Sequence, residues 1–275
     1  MTGLRWDPMA LLAGCDLSVW EFDHLAADQR PFAPHHRSCA SSPVVDVSHG
    51  YSTYLSERLQ STNGSVASAL RKGRKLEREV GRLRLVLDVH DARLLATLRA
   101  WKSAQYRRMG WMDRFAHPET AGIIDTLVQA RSQECSGTVS VLYAGDTPVA
   151  GHIGLRSTSV LCSWFPTYEV AFAAYSPGLL MLLGMAESAA CHGIHRLDLG
   201  KGDEGYKRML QSWDDPVAVG WVERPSVRAS FRQAQREGSS RLHDFVAGRP
   251  RVHRVAHRAY VRWQRLNGGT GDRWR

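Results

Sequence analysis

The chain lacks any cysteine pattern. Its five cysteines, Cys15, Cys39, Cys135, Cys162 and Cys191, are odd in number, scattered and free of C-x-x-C spacing. That usage argues against a disulfide scaffold or a thiolate zinc site, and a reducing cytoplasm fits it. The chain also lacks a long apolar run. The most apolar stretch, residues 179–190, contains Glu187 and falls short of the about 20 residues that a bilayer span needs, so it reads as a buried helix. A secretory leader is not expected either. Leu12-Ala13-Gly14-Cys15 looks like a lipoprotein cleavage box, but Asp7 and Pro8 leave too few apolar residues ahead of it for an h-region of roughly 7 to 15. The pairs His192/His195 and His253/His257 have no third ligand-type residue beside them, so surface histidines are expected and no metal. No motif for reading a specific nucleic acid interrupts the sequence.

What is present is a globular composition. With 275 residues and 43% hydrophobic content, the chain can build one large or two small domains around a buried core. The net charge of +9 is unevenly placed. Residues 226–275 hold twelve arginines and three acids, a balance equal to that of the whole chain, so the body is near neutral. The tail reads as basic helices that are either solvated or able to meet an anionic surface; a basic balance alone supports only nonspecific contact.

Residues 1–60 show little periodicity and much Pro, His and Ser. From Asn63 the pattern changes. Ser65 is placed to cap a helix over residues 65–80 with a face of Arg71, Lys72, Arg74, Lys75 and Arg78. A strand over 84–89 and helices over 92–109 and 118–133 follow from the spacing of their apolar residues. Residues 139–165 read as an antiparallel meander of three strands, with Gly151 and Gly154 permitting a bulge in the middle one and Pro166 ending the third. The helix after Gly178 is apolar almost all round and should be sandwiched against the sheet. A strand over 194–199, a short helix capped by Asp203 and a strand over 217–222 complete the order.

Two motifs carry the chemistry. Tyr175-Ser176-Pro177-Gly178-Leu179-Leu180 opens the apolar helix, and Leu197-Asp198-Leu199-Gly200-Lys201-Gly202-Asp203-Glu204-Gly205-Tyr206-Lys207 follows the next strand. A turn delivering a helix N-terminus can hold a phosphate. Together, on this order of elements, they resemble the signature of the CelD-like, cellulose-biosynthesis-associated acetyltransferase domain, a relative of the GNAT acyltransferases also akin to the FemAB transferases. The resemblance covers roughly residues 45–224. It implies an α/β (α+β) fold with a mixed sheet flanked by helices, organised as a remnant of a first GNAT-like half over 1–60, the acyltransferase domain over 61–224 and an Arg-rich helical tail over 225–275. Members of that family resemble two tandem halves, so about one small domain's worth is expected to be missing ahead of Met1.

The resemblance further implies transfer of an acyl group from acetyl-CoA, or another acyl-CoA, to a small-molecule, glycan or peptide acceptor. The backbone around Ser176, Gly178, Leu179 and Leu180 would cradle the pyrophosphate, with Gly178 allowing close approach. The strand carrying Trp164 would hold the thioester arm, splayed from the strand ending at Asp198. For the proton, Asp198 is the candidate base or else ties down the Gly200-Lys201-Gly202 turn; Tyr206 is a candidate acid or a core residue. Lys207 points away from the apolar face and is read as an anion ligand or a solvated lysine. Gly200-Lys201-Gly202-Asp203-Glu204-Gly205 also matches G-x-G-x-x-G, but two acids inside a pyrophosphate loop and a short helix argue against a dinucleotide site. The other readings are a FemAB-like transferase using aminoacyl-tRNA and a catalytically silent module that binds through its basic tail.

Overall fold

The computed structural model describes residues 7–130, 132 and 134–225. The expectations for the Arg-rich tail from Ser226 onward lie outside the described residues. The elements run α1 (Pro8–Gly14), β1 (Val19–Ala26), β2 (His36–Ala40), β3 (Pro43–Asp46), α2 (Tyr51–Ser61), α3 (Ser65–Glu79), β4 (Leu83–Val86), α4 (Ala92–Met109) and α5 (Pro118–Gln129). They continue with β5 (Ser136–Ala144), β6 (Thr147–Arg156), β7 (Val160–Tyr168), α6 (Pro177–Cys191), β8 (Arg196–Asp198), α7 (Gly205–Leu210), β9 (Trp213–Asp214) and β10 (Val217–Glu223). Among the described residues there are two compact units, one over Phe22–Gly220 and one joining residues 7–21 to residues 221–225.

The larger unit is built on a seven-stranded mixed sheet of order β4-β5-β6-β7-β8-β3-β9. The meander expected over residues 139–165 is β5, β6 and β7, paired antiparallel throughout. Period-two alternation divides its side chains between two cores. Val139, Val141 and Ile153 pack with Leu98 of α4 and Ile124 of α5, whereas Leu142, Ala144, Ala150 and Leu161 pack with α6. Gly151 lets α4 lie close, since a Cβ there would come within 2.2 Å of Leu98. Arg99 clamps the two outer helices, its guanidinium meeting Asp125 at 2.6 Å. On the opposite face Met181, Leu182, Met185, Ala186 and Ala189 bury α6 against the sheet, as its all-round apolarity requires.

Residues 22–60 are built into the same unit. β3 joins the main sheet, Val45 lying antiparallel opposite Leu197 of β8. The buried Tyr54 of α2 donates its hydroxyl to the Leu210 carbonyl at 2.8 Å. β10 lies outside the main sheet and pairs antiparallel with β2, in the three-stranded order β1-β10-β2. In the smaller unit Leu12 of α1 and Val222 are buried, and the Arg224 amide bonds the Ser18 carbonyl at 3.0 Å.

Three local readings are corrected. Gly64, in left-handed conformation, caps α3, with Ser65 as its first residue. Glu204 rather than Asp203 stands at the cap of α7. Pro166 does not end β7, which continues to Tyr168: a proline costs a strand one N–H, and here only β6 flanks it.

Candidate active site

The site begins where two parallel strands part. β7 and β8 pair through Val160/Arg196, Leu161/Leu197 and Cys162/Asp198, after which β7 continues and β8 stops. The stop has a local cause. Gly200 takes φ +76, which favours glycine, and its amide donates to Asp198 Oδ1 at 2.8 Å. The same oxygen accepts from Ser42 Oγ at 3.1 Å, and Cys162 Sγ approaches Oδ2 at 3.5 Å. Asp198 therefore ties the turn to β3 and β7. On the β7 side, Ile153 faces Phe165 and Gly154 faces Ser163, so Trp164 is the extra residue of a bulge. Trp164 is 41% exposed.

The lip that follows β8 is stiffened from within. Lys207 is buried, and its Nζ donates to the Gly200 carbonyl at 3.0 Å and the Lys201 carbonyl at 2.8 Å while meeting Glu204 at 3.0 Å. The expectation that this side chain points outward is corrected: α7 is one short turn lying on the lip, and the loop carbonyls draw the ammonium inward. Lys201 pairs with Asp23, and the Gly202 amide bonds the Ser41 carbonyl at 2.8 Å. Tyr206 packs on the α6-side core; burial, then the charge of Glu204, push its phenol up to about 12, so it stays protonated. Burial and Asp198 push the Cys162 thiol up to about 12 as well, which removes it as a thiolate nucleophile.

The entry to α6 is less open than the sequence suggests. Ser176 sits in left-handed conformation, φ 57 and ψ 48, a strained state for a non-glycine residue. Its carbonyl accepts from both Leu179 and Leu180, at 3.1 and 3.2 Å, and its own amide bonds Ala173. Pro177 donates nothing, so Gly178 carries the one amide of this turn without an acceptor among the described residues. A Cβ on Gly178 would stand 3.5 Å from the Tyr168 ring, ordinary contact. Lys72 of the basic helix α3 reaches across to Ser176 Oγ at 3.0 Å.

One buried charge was missed in the sequence. Lys102 of α4 is 9% exposed, its Nζ 2.9 Å from the Pro166 carbonyl of β7 and 5.3 Å from the centre of the Tyr106 ring. A signal was present. Leu98, Lys102 and Tyr106 recur at i, i+4 and i+8, which puts the lysine on the buried stripe of its helix. Ser42 and Cys162, the other partners of Asp198, had none.

A mixed sheet whose central parallel strands part beside a helix N-terminus is the frame of a GNAT-type acyltransferase. Residues 64–208, more than half of the chain, match the acetyltransferase (GNAT) domain family, and the protein belongs to it. No curated protein matches the chain. Among solved structures it is similar to FemX, with TM-score 0.54 and 10% identity over 82% of this chain and 78% of that one. It is also similar to the C-terminal domain of a putative lysylphosphatidylglycerol synthetase from Agrobacterium fabrum, with TM-score 0.51 and 10% identity over 82% and 74%. At such identities the likeness is one of fold.

Proposed function

We propose that the protein is a CelD-like acyltransferase that moves an acyl group, acetyl in the first instance, from coenzyme A to an amine or hydroxyl of a polar acceptor. An amino sugar, a polysaccharide precursor or a peptide amine fits that class. The observation that carries the reading is the parting of β7 and β8 after Cys162 and Asp198, from which β7 runs on to Tyr168, against the start of α6 at Gly178. A thioester arm laid along the free edge of β7 would bond its backbone beside Trp164, while the Gly178 amide and Lys72 meet the pyrophosphate. Asp198 and Lys207 hold the opposite lip in shape, and the protonated Tyr206 adds rigidity from below. We place this reaction in the cytoplasm, with the Arg-rich tail available for anionic surfaces.

One observation favours a second reading. With Leu179 and Leu180 already bonded to Ser176, the α6 entry offers a thin pyrophosphate cradle. A donor without pyrophosphate, such as an aminoacyl ester in a FemAB-like reaction, would not need one. The deciding experiment incubates the protein with acetyl-CoA or with aminoacyl-tRNA and a panel of amines, and reads products by mass spectrometry. A thiol-reagent readout would be confounded by the exposed Cys15, Cys39, Cys135 and Cys191. Acetylated product supports the first reading, aminoacylated product the second, and no product from either donor refutes both.

A further inference from the structure

Proton management in this cleft needs a group that is close to the thioester, shielded from water and not already saturated. The residues suggested by the sequence are committed elsewhere. Asp198 accepts from Ser42 and Gly200 and faces the Cys162 thiol. The three N–H bonds of Lys207 have three acceptors. Lys102 differs. Among the described residues its ammonium has the Pro166 carbonyl and the face of Tyr106, and no carboxylate in ion-pair contact. Pro166 lies on the part of β7 that runs beyond its last pair with β8. At Lys102 the charges of Glu204 and Lys207, both beyond β8, are felt, the first favouring its ammonium and the second opposing it. The lysine therefore stands against the part of β7 that borders the opening.

We propose that Lys102 is a catalytic residue of this cleft: its ammonium hydrogen-bonds the oxygen that becomes negative as the acceptor attacks the thioester carbonyl, and then protonates the departing thiolate. The inference rests on the acyl-thioester reading above. An acceptor amine forms the new C–N bond with its lone pair, the carbonyl π electrons move to oxygen, and the Lys102 N–H stabilises that charge. Collapse of the intermediate breaks the C–S bond, and the sulfur leaves with the electron pair. Lys102 gives it one proton and recovers one from the former amine nitrogen, leaving an amide, a thiol and an unchanged lysine.

The surroundings suit this task. Burial, the largest influence, brings Lys102 down from 10.5 to about 8; Glu204 acts against that shift and Lys207 with it. An ordinary thiol titrates at about 8.5, so proton exchange between the two is nearly balanced. Tyr106 on its own helix lies under Lys102, and the groups coupled to it by charge are His152 of β6 and Glu204 and Lys207 beyond β8. His152 is buried and held neutral at physiological pH, its pKa pushed down to about 4 by burial. Glu204 is thus the one carboxylate in this set.

The test uses the whole chain, with the donor and amine on which the wild type turns over. Lys102→Met should fold and retain donor affinity while kcat falls about 100-fold or more, the scale of a lost general acid. Lys102→Arg should recover part of the oxyanion stabilisation and move the alkaline limb of the kcat profile upward. Wild-type kcat should decline above pH about 8 as the ammonium is lost, and Glu204→Gln should shift that decline to lower pH. Should Lys102→Met unfold, the wild-type profile decides: a kcat that keeps rising through pH 9 overturns the assignment. Equal turnover in wild type and Lys102→Met overturns Lys102 alone, whereas a wild type inactive with every donor overturns the reading beneath it.

Discussion

Acid should destabilise the fold through His152, by an amount the structure allows to be worked out. The side chain is fully buried in β6, and burial, with a lesser contribution from the Lys102 charge, drives its pKa from 6.5 to about 4 against an opposing backbone contact at Cys162. Above pH 6.5 the residue is neutral in both states and costs nothing. Between pH 6.5 and 4 the unfolded chain binds a proton that the folded one refuses, so stability falls as pH falls. A gap of about 2.5 units at about 1.4 kcal/mol each gives a loss of about 3 kcal/mol by pH 4. Other groups titrate in the same range, so the informative quantity is a difference. Urea unfolding of wild type and His152→Leu at pH 7 and pH 4 should show the wild type losing about 3 kcal/mol more than the variant, which carries no titratable group there. Parallel losses in the two proteins would refute the claim that His152 is held neutral by burial.

Gly178→Ala should fold normally, because its Cβ finds only ordinary contact with Tyr168, whereas Gly178→Val should weaken acetyl-CoA binding at least tenfold by calorimetry; equal affinity in wild type and valine variant would move the cofactor away from this turn. Asp198→Asn keeps an acceptor for Ser42 and Gly200 and should lower kcat less than tenfold, while Asp198→Ala should cost more by freeing the Gly200 turn; a hundredfold loss in a folded asparagine variant would make Asp198 the base instead. Tyr54→Phe strands the buried Leu210 carbonyl and should destabilise the protein by about 1–2 kcal/mol in chemical denaturation, with no loss if that hydrogen bond contributes nothing.

The parts of the fold that were legible in the sequence are those whose pattern is local. The meander declared itself by alternation and by the Gly145-Asp146 turn, and α6 by apolarity all round its circumference. The partner of β8 was not legible. Pro43–Asp46 is too short to signal a strand, and what makes it one is the antiparallel edge of β8, more than 150 residues away. Asp198 was readable as a turn tie because Gly200 follows two residues later, but Ser42 and Cys162 reach it only through the sheet. Lys207 was misjudged because exposure was inferred from helix phase, while the carbonyls of residues 200 and 201 that bury it lie in a loop with no period. Lys102 was legible in principle as a lysine on a buried stripe, but the neighbouring Trp101 dominated the reading. The order of elements read from local patterns is that of the GNAT domain family, which matches residues 64–208.

An acyl thioester lying where β7 parts from β8 is to be sought by amide chemical-shift mapping during titration with acetyl-CoA. That placement gives saturable shifts at Trp164 and Phe165 of β7 and at Gly178 at the start of α6, with the paired amides of β5 unmoved. Saturable shifts confined to other surfaces, or none at millimolar acetyl-CoA, would contradict it.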